Sequence, residues 1–205
     1  MSPSDVRGRQ RLPVTTSSGS GVLQTERMVI VITGPIASGK STISRALAGE
    51  LARTHGPVAV IDLDLLHDML EPGGSTSDDA TWELARHAAA TLANTFLAEG
   101  VGVVVAEGSF NTPGDRTAFT ERLDPSVGPP FVTLRVTYEE ALRRAQGDPT
   151  RGMSRDPAFV GRYFAVHRAL AAGPATDIVI DTEAMSATSA AAAIASLICP
   201  SSTSH

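Results

Sequence analysis

A chain of 205 residues, 42% of them apolar, is long enough for one α/β domain with a real core. Its net charge of −5 argues against a nucleic-acid partner, because phosphate backbones recruit basic surfaces. No run approaches the roughly 18 apolar residues that span a bilayer, and the single cysteine, Cys199, excludes an internal disulfide or thiolate zinc site and fits a reducing, cytoplasmic setting. Aromatic residues make up only 4%, so the core must come from Val, Leu, Ile and Ala. Lys40 is the only lysine beside sixteen arginines. A lysine kept against so strong a bias asks for a chemical reason.

Residues 1–27 are rich in Ser, Thr, Gly and Arg without an apolar period, so a disordered tail is expected there. One domain follows over 28–198, with a short tail over 199–205. Met28–Thr33 reads as a first strand entering a Gly-rich turn, after which Ile43, Ala46, Leu47 and Leu51 fall at helical spacing. Pro57–Asp62 is the second strand, and Leu65–Leu70 opens another helix. A polar loop over Glu71–Thr76 leads to Ser77, the expected N-cap of a long helix ending at Gly100. Val101–Ala106 is apolar almost throughout, as a strand covered on both faces should be. Phe131–Val136 is the fourth strand, and Thr137 with Glu140 spells a capping box for the next helix. A polar excursion over 146–155 ends at Asp156-Pro157, an N-cap and first helical residue. Ile178–Asp181 is the fifth strand and Ser186–Leu197 a closing Ala-rich helix. Strands alternating with helices predict a parallel sheet with helices on both faces.

The strongest chemical signal is Gly34-Pro35-Ile36-Ala37-Ser38-Gly39-Lys40-Ser41, a full Walker A pattern between a strand and a helix. Its glycines let the backbone curl so that N–H groups point at phosphates, and the helix start adds a positive end. Gly34, Ala37, Ser38, Gly39, Lys40, Ser41 and Thr42 are therefore the expected nucleotide contacts, with Lys40 on the β- and γ-phosphates and the Ser41 hydroxyl on Mg²⁺. The second signal is Asp62 and Asp64 at the carboxyl end of the second strand, where open α/β sheets bind ligands. Two residues apart in an extended segment they would face one side, Asp62 toward Mg²⁺ and Asp64 as base on an attacking hydroxyl. Alternatively one of them only caps the following helix. Glu107, closing the third strand, faces the same crevice and would orient metal-bound water or an acceptor, or else stabilise a helix start. Phe110 and Trp82 are candidate walls of an acceptor pocket or core residues, and His67 with Asp68 either acceptor contacts or a solvated face. Arg143, Arg144, Arg151 and Arg155, with Gly147 and Gly152 between them, suit a lid over about 146–157 that closes cations on the phosphates. Arg151 and Arg155 are its expected catalytic members.

With these residues in place, the chain resembles the nucleoside/nucleotide-kinase-like group of P-loop proteins, and within it chloramphenicol phosphotransferase and its small-molecule kinase relatives. The likeness runs over about residues 28–198 and includes the ending Thr176-Asp177-Ile178-Val179-Ile180-Asp181-Thr182. The resemblance implies five parallel strands in the order 2-3-1-4-5 and Asp64 as the base. It also implies an adenine pocket between the lid and the Asp181–Thr182 turn, with Arg143 and Thr182 as nucleotide contacts. ATP or GTP with Mg²⁺ would be the phosphoryl source, and a hydroxylated small molecule the acceptor. An antibiotic or other secondary metabolite, phosphorylated for self-resistance, is the first expectation. A primary-metabolite or nucleoside/nucleotide kinase is the second, and a nucleotide-binding regulator the third. A guanine-reading Asn-Lys-x-Asp is absent, since Lys40 is the only lysine. Size and the lack of an Asp-Glu pair closing the third strand count against an AAA-type ATPase. A clamp for an acceptor phosphate needs arginines, and between Asp62 and Glu107 only Arg86 occurs. That favours a neutral acceptor.

Overall fold

A computed structural model describes residues 27–71, 78–167 and 178–199. The tail expected at the amino terminus, most of the polar loop after Glu71, and Thr176 and Asp177 lie outside the described residues. Five strands, β1 (Met28–Thr33), β2 (Val58–Asp62), β3 (Val103–Gly108), β4 (Phe131–Arg135) and β5 (Ile178–Asp181), alternate with seven α-helices in the described residues. Every strand pair is parallel and the order is β2-β3-β1-β4-β5. This is the expected α/β architecture, a P-loop NTPase sheet with helices on both faces. No helix among the described residues is long and apolar enough to cross a membrane.

The apolar strands bury both faces by simple alternation. Val29 and Val31 of β1 with Val104 and Ala106 of β3 enter one core, against Leu63 of α2 (Leu63–Leu70), α3 (Asp79–Ala98) and Phe119 of α4 (Pro113–Thr120). Ile30, Ile32, Val103 and Val105 enter the other, against Ile43, Leu47 and Leu51 of α1 (Lys40–His55) and Ala190, Ala191 and Ile194 of α7 (Ala187–Ile198). Four alanines of α3, at 85, 89, 90 and 93, are fully buried. Their small size lets that helix lie close to the sheet, which is how the core closes with few aromatics. A smaller cluster of Ala37, Ala141 and Ala145 seats α5 (Tyr138–Gly147) under the phosphate loop.

Helix ends depart from the sequence reading in informative ways. Asp78, not Ser77, caps α3, accepting from the Ala80 N–H at 3.1 Å. The box at Thr137 is half made: its hydroxyl accepts from the Glu140 N–H, but the Glu140 carboxylate turns to Arg143 and Arg144. Glu183 takes the Thr137 N–H instead. The full capping box lies at Thr112 and Asp115 of α4, a helix the sequence reading passed over. A short 3₁₀ turn, Met153–Arg155, interrupts the excursion before α6 (Pro157–His167), where Asp156 accepts from the Ala158 N–H as expected.

Because all five strands run the same way, Thr33, Asp62, Gly108, Arg135 and Asp181 end on one rim. Gly108 locks two of those ends together. A Cβ built there would stand 2.5 Å from the Leu63 Cβ, and Leu63, 1% exposed, is the first residue of α2. Gly108→Ala is expected to cost about 1–3 kcal/mol by pushing α2 off the sheet, read as a lower denaturant midpoint. An unchanged midpoint would show that Leu63 repacks freely.

Candidate active site

The loop after β1 is built to receive an anion. Gly39 caps α1 at φ +94°, a left-handed conformation that glycine adopts without strain. No side chain caps α1 and its first turn carries no acid, so its N–H groups and positive end face the loop. The Ser38 hydroxyl is buried there without a hydrogen-bond partner. Ala37 holds φ +57°, a costly conformation for a residue with a Cβ. An uncapped helix start, an orphaned hydroxyl and a curled backbone fit a triphosphate. Lys40 folds back over the loop, donating to the carbonyls of Gly34 at 3.1 Å and Pro35 at 3.3 Å. Burial pushes its ammonium pKa down, while Asp64 and Glu107 pull it up.

Three carboxylates face Lys40. Asp62 pairs in register with Glu107, which sits opposite Ile32 of β1 at the centre of the rim. Asp62 ends β2, and α2 begins at the next residue, so Asp64 lies in the first helical turn rather than on an extended segment. The Asp62 carboxylate caps that helix, accepting from the N–H groups of Asp64 at 3.0 Å and Leu65 at 3.4 Å. The capping alternative thus holds for Asp62, through Oδ1. Asp64 is exposed by area at the start of α2. Desolvation raises its pKa and Lys40 opposes the shift.

Glu107 is 3% exposed, and burial pushes its carboxyl up to about 7, against a hydrogen bond from Ser41. That bond turns Glu107 toward the phosphate loop. The described residues offer no cluster of three acidic, imidazole or thiol groups around one point. Mg²⁺ needs none, since it is commonly held by one or two protein oxygens plus phosphates and water; Ser41, Glu107 and Asp62 fit that scheme. A test follows in the metal-free, nucleotide-free protein. An unfolded glutamate titrates near 4.5 and the folded Glu107 near 7, so the burial penalty is absent below the first value and complete above the second. Glu107→Gln is expected to stabilise the protein by about 3 kcal/mol at pH 8 and to do little at pH 4. Equal melting shifts at both pH values would rule this account out.

Other candidates fall differently from expectation. Phe110 is fully buried, edge-on to Phe119 and Phe131; it belongs to the core and walls no pocket. His67 is no part of a solvated face: it is 6% exposed and stacks on Trp82 with centroids 3.9 Å apart. Arg143, expected as a nucleotide contact, is exposed and paired with Glu140. Its neighbour Arg144 ties the phosphate loop to the Thr182 turn, donating to the Thr182 carbonyl at 2.8 Å, the Thr182 hydroxyl at 3.1 Å and the Ala37 carbonyl at 3.5 Å. Thr182 is buried, and its hydroxyl also donates to the Arg135 carbonyl, so it builds the turn from within. Thr42 is exposed on α1. Arg151 pairs with Asp148 at 3.2 Å and lies within electrostatic reach of Lys40. Arg155 is exposed and donates to the Gln146 carbonyl. Arg86 is spent on the Ser109 carbonyl and Asp115, and Arg116 on the Phe110 carbonyl and the Phe131 ring.

Sequence reasoning missed Tyr163 of α6, whose hydroxyl accepts from the Asn111 amide at 3.4 Å beside the end of β3. A cavity of about 1400 Å³, lined by Met28, Asn94, Leu123, Pro130 and Leu197 among others, opens at the amino ends of the strands. Ligands of open α/β sheets bind at the carboxyl ends, and the Lys40 cluster is there.

Sheet order, phosphate loop and facing carboxylates define a P-loop nucleotide-binding protein. Residues 29–148 match the AAA domain family, more than half the chain, and the protein belongs to that family. The match covers the nucleotide-binding core, in which β3 carries one carboxylate near its end, Glu107, and not an Asp-Glu pair. No curated protein matches the chain by sequence. Solved structures do match it. A sugar kinase from Janibacter sp. HTCC2649 is 20% identical, with 87% of this chain and 99% of that one covered at a TM-score of 0.63. The tunicamycin resistance protein of Deinococcus radiodurans is 18% identical over 85% and 96%, at 0.61. Shikimate kinase from Acinetobacter baumannii, in complex with shikimate, is 17% identical over 87% and 96%, at 0.57. At these identities the likeness is one of fold, and the fold is that of small P-loop kinases.

Proposed function

We propose that the chain is a phosphotransferase moving the γ-phosphate of ATP or GTP onto a hydroxyl of a small molecule. One observation carries this reading: Lys40 on the phosphate loop stands within electrostatic reach of Asp64 at the start of α2 and of Glu107 and Asp62 at two neighbouring strand ends. A regulator that only senses nucleotide needs no carboxylate beyond the metal side, whereas transfer to an alcohol needs a base. In the proposed step the Asp64 carboxylate takes the acceptor O–H proton as that oxygen attacks the γ-phosphorus. The bond from phosphorus to the β,γ-bridging oxygen breaks, and the nucleoside diphosphate leaves with those electrons. Lys40 stabilises charge on the transferring oxygens, and Arg151 joins it from the lid. Mg²⁺, held beside Ser41 and Glu107, would neutralise β- and γ-phosphate charge. Asp62 caps α2 through one oxygen and would offer the other to water on the metal.

The acceptor side favours a neutral molecule, because Arg86 and Arg116 are both engaged within the protein. An antibiotic or related secondary metabolite in the cytoplasm, as in the chloramphenicol phosphotransferase type, is the acceptor we favour. The fold shared with a tunicamycin resistance protein supports that choice, while the sugar and shikimate kinases support a primary-metabolite kinase as the runner-up. Incubation with γ-labelled ATP, Mg²⁺ and a panel of hydroxylated antibiotics, nucleosides and sugars tests the proposal. Label transferred to a neutral alcohol is the expected result. Transfer to a nucleoside monophosphate would replace it with a nucleotide kinase, and acceptor-independent hydrolysis stimulated by a protein partner would replace it with a regulator.

A further inference from the structure

On the phosphotransferase reading, the acceptor must lie against Asp64, and the side chains around that carboxylate state what it can recognise. Phe110 is withdrawn into the core, and Arg86 and Arg116 are bound to carbonyls. What remains half-exposed at the mouth beyond β3 is Ser109, Asn111 and Tyr163. These are neutral donor–acceptor groups, and they are wired together. The Phe110 N–H donates to the Thr33 hydroxyl at 3.1 Å, which donates to the Asn111 Oδ1 at 3.4 Å. The Asn111 amide then donates to the Tyr163 hydroxyl, and the Ser109 side chain bonds the same phenol. Thr33 is the last residue before Gly34, so the chain of bonds starts at the phosphate loop itself. Tyr163 comes from α6, the helix that follows the 146–155 excursion, and lies close enough to Asp64 to feel its charge.

We propose that Ser109, Asn111 and Tyr163 form an acceptor subsite that reads a second, uncharged oxygen beside the hydroxyl facing Asp64, with Tyr163 as its specificity-determining member. The class of acceptor follows from the chemistry: a neutral polyol or hydroxy-amide with two neighbouring oxygen functions. An amide and two hydroxyls can donate to and accept from such a group, whereas an acceptor carboxylate or phosphate would meet the Asp64 charge while Arg86 and Arg116 are already engaged within the protein.

The test uses the full-length protein with Mg-ATP and six probes. D-glucose, myo-inositol, uridine and chloramphenicol are the neutral set; D-gluconate and shikimate are anionic. At least one neutral probe is expected to be phosphorylated in preference to both acids. With that probe, Tyr163→Phe should raise the acceptor KM about two- to tenfold, the worth of one hydrogen bond, while the Kd for Mg-ATP stays constant. A deoxy analogue lacking the neighbouring hydroxyl should lose the same factor with the wild type and nothing further with Tyr163→Phe. Ser109→Ala, which removes one partner of the phenol, should show a smaller rise. An unchanged acceptor KM in Tyr163→Phe, a preference for the acids, or Mg-ATP binding with no neutral probe accepted would each overturn the subsite. Failure to bind Mg-ATP at all would instead strike the phosphotransferase reading.

Discussion

Replacing Lys40 by alanine is expected to abolish phosphoryl transfer while leaving the fold intact. The Lys40 ammonium donates to two loop carbonyls, those of Gly34 and Pro35, and belongs to neither apolar core, so its removal takes no packing from them. What it takes is charge. Donors aimed at charge that develops in a transition state are worth about 10²–10³ in rate each, and Lys40 also neutralises Asp64 and Glu107 before nucleotide arrives. Without it both carboxyls shift further up, so the proposed base is less ionised at neutral pH as well. Turnover should therefore fall by about 10³ or more, with a melting temperature close to wild type. Lys40→Arg should not rescue, because the guanidinium fork cannot occupy the compact ammonium's place under the loop. Near wild-type turnover in Lys40→Ala would end the assignment of Gly34–Ser41 as a phosphate site.

How much of this was legible in the sequence depended on the range of the interaction involved. The strands were legible because each alternates its apolar side chains between two covered faces, and the phosphate loop because its pattern is local. The end of β2 was misread for want of a loop: Asp62 closes the strand and caps α2 in one residue, so Asp64 looked extended when it is helical. Thr112-Pro113-Gly114-Asp115 carried a complete start signal for α4, a cap, a proline at the first position and a reciprocating acid. That helix could have been read. So could the choice between the paired arginines of α5. Buried Ala141 and Ala145 define its inner face, and Arg144 flanks that face while Arg143 points nearly opposite. The burial of Phe110 could not, since Phe119 and Phe131 enclose it from distant elements. Tyr163 was hidden for the same reason; no local pattern places α6 against the end of β3.

Asp64→Asn is the substitution that reaches the mechanism. It preserves shape and hydrogen bonding at the first turn of α2 but cannot take a proton from an acceptor hydroxyl. A positioned general base contributes about 10²–10⁴ in rate, and turnover should fall by that factor while nucleotide affinity hardly changes. Desolvation raises the Asp64 pKa, toward the range where a base works best near neutrality. The sign is fixed: the group is active when ionised, so wild-type rate falls as pH drops through the raised pKa, and this acidic limb should vanish in Asp64→Asn. Asp62→Asn provides the contrast. Asparagine caps a helix as well as aspartate does, so α2 should hold its place, and loss of the charge should raise the magnesium requirement while turnover survives at high metal. Two profiles of rate against pH and two titrations with Mg²⁺ separate these roles. Full activity of Asp64→Asn at saturating acceptor, or loss of the acidic limb in Asp62→Asn alone, would move the base to Asp62 or Glu107. The acceptor would then lie closer to β3 and the Ser41 side of the crevice than the Asp64 assignment places it.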